Sequence, residues 1–311
     1  VTHAVASAPL AENAPAGSTR GPGTGGGRDH RRHRPLGVRA RKLAPAIARH
    51  AILIVASLIF FGPFVWMLLT SVKSSSEALS FPPTFLPREW HFENYSDLFD
   101  VAPFGMYYLN SAVVTVFTTL GQVLTSLAAG YAFARLKFRG SNVIFVVLLA
   151  ALLVPFEVVF TPLISLLSSL GWLNTYQGLI VPNVPSILGV FLFRQFFSSF
   201  PTEIEDASRM DGAGVWRRFR SIMAPMATPM IGSFAILSFV YNWNNFFFQF
   251  LAVNRTEFFT VPIGLAQLQS SQAATSFNLL MAGSTLAILP VFLVFLLFQR
   301  QIVTAMSGGL R

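Results

Sequence analysis

The sequence predicts an all-α integral membrane protein with six transmembrane helices and both termini on the cytoplasmic side. Three observations predict it. The chain of 311 residues is 53% hydrophobic and only 11% charged, where soluble domains carry about 25% charged residues. Six apolar stretches lie near 47–70, 107–133, 142–168, 178–197, 228–252 and 278–298, and about 20 helical residues cross the ~30 Å hydrocarbon core. Lys and Arg then fall almost wholly on one side of that layout.

Taken in order, residues 1–46 read as a disordered, basic, cytoplasmic tail. The stretch "GPGTGGG" at 21–27 and nine of the 22 Lys and Arg within the first 50 residues cannot bury enough apolar surface to offset ordering. A basic tail also suits a nucleic-acid protein, but the hydrophobic remainder excludes that class, and a basic segment before a span reads as an anchor. Residues 47–311 form the membrane domain. Runs of this length in lipid are helices, because only helices or closed barrels satisfy the backbone there. Pro182 and Pro185 interrupt the fourth stretch, which a membrane helix tolerates when neighbours re-satisfy the freed groups. With the N-terminus inside, the tail, 134–141, 194–227 and the C-terminus hold 9, 3, 5 and 2 of the Lys and Arg. The outer segments hold only Lys73, Arg88 and Arg255. That asymmetry fixes the orientation. The outer loops are 71–106, 169–177 and a polar one at 253–277.

Between the fourth and fifth stretches, 201–229 is polar and patterned: "PTEIEDASRMDGAGVWRRFRSIMAPMATP". Pro201-Thr202 followed by Glu203 and Glu205 reads as a helix start. Ile204, Ala207, Ser208 and Asp211 share a face, and Gly212 ends the helix. Trp216, Phe219 and Met223 recur at helical spacing with Arg217, Arg218 and Arg220 beside them, and Pro225 and Pro229 close the segment. Two short helices joined at a glycine make a docking surface. The alternative is a hairpin lying on the headgroups with its arginines on anionic lipid.

This segment resembles the coupling loop of ABC importer permeases, whose pattern is roughly E-A-A-x-x-D-G-A, an aromatic, then L-P-x-x-x-P. Glu205, Ala207, Asp211, Gly212, Ala213, Phe219, Pro225 and Pro229 match. Asp206 occupies the family's Glu, Ser208 the second Ala and Ala224 the Leu. "WMLLTSVKSSSEAL" at 66–79, "FENYSDLF" at 92–99, "NSAVVT" at 110–115, "AAGYAFARLKFRG" at 128–140, "GWLNTYQGLIVP" at 171–182, "YNWNNF" at 241–246 and the ending "GGLR" are similar to maltose-type carbohydrate permeases. The resemblance implies a multi-pass protein of the bacterial cytoplasmic membrane that forms half of a sugar pathway beside a second homologous permease subunit. An extracytoplasmic solute-binding lipoprotein would deliver solute, with 253–277 entering its cleft. A cytoplasmic ABC ATPase dimer would bind ATP and Mg and dock on Glu205, Asp206, Ala207, Ser208, Asp211, Gly212, Ala213, Trp216 and Phe219. No G-x-x-x-x-G-K-[ST] occurs in this chain, so it carries no phosphate cradle of that kind.

Within the stretches the candidates for the solute pathway are few. Glu157 is an acidic residue deep in a span, where a charge costs about 2.5–3.5 kcal/mol on insertion scales, so it faces a cavity, is protonated, or has a partner. Asn242, Asn245 and Gln249 share a helical face, suited either to hydroxyl recognition or to interhelical packing. Asn183, between two prolines, is of the same kind. No cation sits at mid-membrane, which favours a neutral sugar over the rival solute class, glycerol-3-phosphate or a phosphodiester. A secondary transporter would show coupling residues and repeats, which are not evident. A membrane enzyme lacks its constellation, since all five His, at 3, 30, 33, 50 and 91, lie outside the apolar core. The chain has no Cys, which excludes disulfides and thiolate metal sites; no cofactor, metal site or nucleic-acid partner is expected.

Overall fold

Why the chain breaks where it does follows mainly from its prolines. In the computed structural model, residues 36–272 and 276–308 are described, with side chains from 49 to 270 and from 276 to 299. The chain divides into two units, Val1–Leu58 and Ile59–Arg311. In the first, the described residues belong to α1 (Leu36–Ser71), so residues 36–46 of the expected tail are helical. Residues 1–35 of that tail lie outside the described residues. Ala, Leu, Arg and Lys dominate that first part of α1, and all are strong helix formers.

The second unit continues with α2 (Ser75–Ala78), α3 (Asn94–Val101), α4 (Phe104–Arg135), α5 (Ser141–Ala151), α6 (Phe156–Ser169), α7 (Tyr176–Ile180) and α8 (Ile187–Ser198). Then come α9 (Thr202–Met210), α10 (Val215–Arg218), α11 (Ala224–Met226), α12 (Thr228–Trp243), α13 (Phe247–Ala252), α14 (Val261–Gln272) and α15 (Phe277–Gly308). Three helical stretches, Arg49–Ser71, Phe104–Arg135 and Phe277–Gln299, are each long and apolar enough to cross a membrane. Counting each of three bent pairs as one span brings the number to as many as six; the fifth, Val215–Met226 with Thr228–Trp243, begins and ends earlier than the expected 228–252.

The bent pairs correct the expectation of continuous helices. The third stretch turns by 98° between α5 and α6. Pro155 supplies no N–H and pushes Val154 out of the helical region. The N–H groups of Leu152, Leu153 and Val154 accordingly tighten onto carbonyls three residues back. The fourth stretch bends by 40° at Pro182 and Pro185, and the fifth enters through a 74° bend at Pro225 and Pro229. The fifth also breaks between Trp243 and Phe247, where Asn244 returns both its backbone N–H and its side-chain Nδ2 to the Val240 carbonyl.

α4 is the spine of the unit. It is buried from Phe104 to Tyr131, and its inward face is unusually polar. Asn110 Nδ2 donates to the carbonyls of Glu257 and Phe259, both at 2.8 Å, and its Oδ1 accepts from the Tyr176 hydroxyl. Ser111 Oγ accepts the Val261 N–H. In lipid such bonds hold helices together where the hydrophobic effect does not. One apolar cluster gathers Phe104, Tyr107, Leu179, Phe248, Val261 and Ile263. A second gathers Tyr131, Phe193, Phe197, Met223 and Phe234. The expected polar loop at 253–277 therefore contains a packed helix: Val261, Ile263 and Leu268 of α14 are buried. Its Gly264 closes on Tyr107, so its polar residues mark only its outer face.

Close approach of α4 and α8 depends on two glycines. A Cβ on Gly130 would lie 2.5 Å from Phe193 Cβ and 2.9 Å from the Arg194 backbone nitrogen. One on Gly189 would overlap Ser126 Oγ. Gly130→Leu is expected to cost about 1–3 kcal/mol by overpacking, read as earlier thermal unfolding in detergent. An unchanged melting curve would mean that the two helices are free to separate.

Candidate functional site: the cytoplasmic helix pair

α9 opens after Pro201 with Glu203 and Glu205 in its first turn, where acidic side chains complement the helix dipole. The helix begins at Thr202, as read from sequence, with Pro201 at its N-cap and no side-chain capping bond. The helix ends in a Schellman arrangement: the Gly212 N–H bonds the Arg209 carbonyl at 2.9 Å and the Ala213 N–H bonds the Ser208 carbonyl at 3.0 Å. Gly212 has φ +73°, the left-handed region that glycine enters without a Cβ penalty. The Asp211 carboxylate, which is close enough in sequence to brace this bend through local amides, is exposed and makes no hydrogen bond among the described residues. Backbone groups and Arg218 Nη1, which donates to the Ala213 carbonyl at 2.7 Å, hold it instead.

Glu205 is the centre of the arrangement, at 5% exposure. Its carboxylate meets Arg218 Nε at 3.5 Å, Arg209 Nη2 at 3.5 Å, Arg135 Nε at 3.9 Å and the Tyr131 hydroxyl at 3.4 Å. Tyr131 and Arg135 belong to the last turns of α4, while Arg218 belongs to α10. One carboxylate thus ties both short helices to the spine. Arg135 extends the tie to α8, with Nη2 donating to the Phe197 and Phe200 carbonyls at 2.6 Å each. Ser208 Oγ turns back to the Glu205 carbonyl.

The apolar stripe divides between two tasks. A π-helical turn, Phe219–Met223, follows α10. It carries Met223 into the core and sets the Phe219 ring 5.2 Å from Tyr131. Met223 is therefore not part of an exposed knob. The exposed apolar side chains are Trp216 at 68% and Met210 at 89%, with Val215 between them in sequence. Asp206, Ala207, Asp211 and Gly212 are exposed alongside, and Ala213 is half-buried. Asp206 pairs with Arg209 at 3.2 Å.

The solute candidates separate. Asn242 is buried, donating to Thr119 Oγ1 at 3.2 Å and Gln122 Oε1 at 3.0 Å, and Gln122 donates to the Asn183 carbonyl. Gln249 is buried and accepts from Thr260. Both fasten neighbouring segments, and the break between Trp243 and Phe247 puts Gln249 on a different helix from Asn242, with Asn245 in the break itself. Asn183 Nδ2 caps the Leu179 carbonyl, and Asn245 is half-buried. Glu157 lies in the first turn of α6, exposed at the 98° bend. Sequence reasoning missed Tyr131 and Arg135. Their spacing of four residues at the end of an apolar helix was the available signal.

A family model described as binding-protein-dependent transport system inner membrane component matches residues 121–308. The chain belongs to that family. The permease is accordingly a multi-pass protein of the inner membrane and a transport subunit, not an enzyme, and it works with a binding protein and a separate ATPase. It is 36% identical to the arabinooligosaccharides transport permease AraQ of Bacillus subtilis over 85% of this chain and 94% of that one. It is 36% identical to the diacetylchitobiose uptake permease NgcG of Streptomyces coelicolor over 85% and 88%. It is 30% identical to the sn-glycerol-3-phosphate permease UgpE of Yersinia enterocolitica over 82% and 93%. In fold it is similar, at TM-score 0.73 and 20% identity, to a chain of a bacterial ABC transporter importing alginate. That match covers 84% of this chain and 97% of the other.

Proposed function

We propose that the permease forms half of a transmembrane pathway for a sugar or oligosaccharide, beside a second homologous permease subunit, and receives ATPase motion through 201–229. The observation that carries this reading is a jointed helix pair with an exposed tip, Met210, Val215 and Trp216, whose base is fastened to α4 by Glu205. An ATPase groove that buries the tip moves the base, and α4 carries that motion to the polar contacts at Thr119, Gln122 and Asn242. A lipid-lying hairpin would need no such clamp. Glu157, exposed at a helix break among apolar residues, is the side chain best placed to face the pathway or the second subunit. Gln269 and Ser270, exposed near the end of α14, are the groups offered to the binding protein.

The named substrates of AraQ and NgcG favour a sugar, and UgpE keeps glycerol-3-phosphate as the second reading. Uptake of labelled arabinooligosaccharide or diacetylchitobiose is expected to fall when the chain is deleted. A loss confined to sn-glycerol-3-phosphate would replace the first reading with the second. Sidedness has its own check, because the chain has no cysteine. Ser270→Cys should react with an impermeant maleimide in intact cells, and Arg217→Cys only after lysis. The reverse pattern would invert the topology.

A further inference from the structure

Residues 79–92, between α2 and α3, carry apolar side chains that the described chain leaves uncovered. Phe81 is 96% exposed, and Leu79, Phe85, Leu86, Trp90 and Phe92 are each more than half exposed. In water such a surface is a liability. The polar residues of the same segment turn the other way. Ser80, Arg88, Glu89 and His91 line a hollow shared with Glu77. Glu77 accepts the Thr84 hydroxyl at 2.7 Å, which holds its carboxyl below the ordinary value, and also the Arg88 N–H at 3.1 Å. Lys73, fully buried, donates to the Thr84 carbonyl and lies 4.7 Å from the Trp66 ring. The segment is thus pinned from its polar side and bare on its apolar side.

Two contacts fix its depth along α1. The Phe85 ring lies 6.2 Å from the Trp66 ring. The His91 N–H bonds the Val72 carbonyl at 2.9 Å, just past the end of the helix. Six residues of helical rise place these levels about 9 Å apart, so the segment lies along the last turns of α1 rather than at a single level. Phe64 and Val65 of α1 are exposed below the Trp66 level and Leu68 a short step above it, so the bare surface continues one that belongs in lipid. Pro82, Pro83 and Pro87 bring no N–H groups, while the N–H groups of Phe85 and Leu86 have no acceptor among the described residues. Unpaired N–H groups need water, which the headgroup region supplies and the hydrocarbon core does not.

We propose that 79–92 is an interfacial anchor, lying in the headgroup region of the leaflet at the C-terminal end of α1, with the lipid surface covering Phe81, Phe85 and Leu86. It sets the depth and tilt of α1 by holding both levels of its last turns.

The absence of cysteine permits a direct test. Phe81→Cys and Leu86→Cys, labelled with an environment-sensitive fluorophore, are followed in the full chain reconstituted with whatever subunits accompany it. Lipids brominated near the top of the acyl chain are expected to quench both labels severalfold, with aqueous iodide leaving them nearly unchanged. Quenching by iodide alone would place the segment in water. Protection from both quenchers would mean a protein covers it. Either result overturns the proposal.

Discussion

Gly212→Val is expected to leave the permease inserted in the membrane while abolishing most of its uptake and releasing the ATPase. The residue has φ +73° with open space around it, so the obstacle is backbone conformation and not crowding. A β-branched residue in that region is an outlier, and forcing it costs of order 1–3 kcal/mol. The cheaper response is to give up the Schellman bonds from Gly212 and Ala213, which re-aims α10 relative to α9. A coupling loss of 1–3 kcal/mol is roughly 5–150-fold. Gly212→Asn supplies the control, because Asn visits the left-handed region more readily and should keep much of the activity. Uptake and ATPase co-purification are measured together for both variants. Normal values for Gly212→Val would remove the coupling role of the segment. Asp211→Lys should act more weakly than its place in the motif implies, since its carboxylate makes no hydrogen bond or ion pair among the described residues.

The number of spans was legible because it rests on length and hydropathy, which the bilayer imposes on every segment alike. The bends were less legible. Pro155 and Pro185 were visible, but a proline in a membrane helix is compatible with a slight kink or a 98° turn, and neighbouring contacts decide which. The fate of Asn242 and Gln249 was open for a related reason. An amide on an apolar helix needs a partner, and sequence does not say whether that partner is a solute or Thr119. The segment 201–229 was readable as two helices joined at Gly212, because positive φ and glycine go together. Its inward face was not: helical spacing put Trp216, Phe219 and Met223 in one stripe, and the π-helical turn parted the first from the last. Two of the partners of Glu205, Tyr131 and Arg135, lie about seventy residues earlier on α4, a separation that no local pattern encodes.

Glu205→Gln is the second variant expected to act strongly, and it tests the clamp apart from the joint. Removing one member of a buried ion pair typically costs 3–5 kcal/mol, because the remaining charge stays buried. Here Arg135 and Arg218 would be left so, with side chains only 7% and 10% exposed. The contacts of 3.5–3.9 Å are longer than the 2.7–2.9 Å of strong charge-assisted bonds, which places the expected loss toward the lower end. Arg135 also keeps its bonds to the Phe197 and Phe200 carbonyls, so α4 and α8 should stay together. The effect should therefore be local: amide exchange accelerates across α9 and α10 and not across α4. Replacing Glu205, Arg135 and Arg218 together by apolar residues of similar volume should restore much of the stability but not the coupling, if a polar clamp is what fixes the angle of the pair. Unchanged exchange protection at 202–218 in Glu205→Gln would show that the helix pair is held by its apolar contacts alone, with Phe219 and Met223 sufficient to seat it.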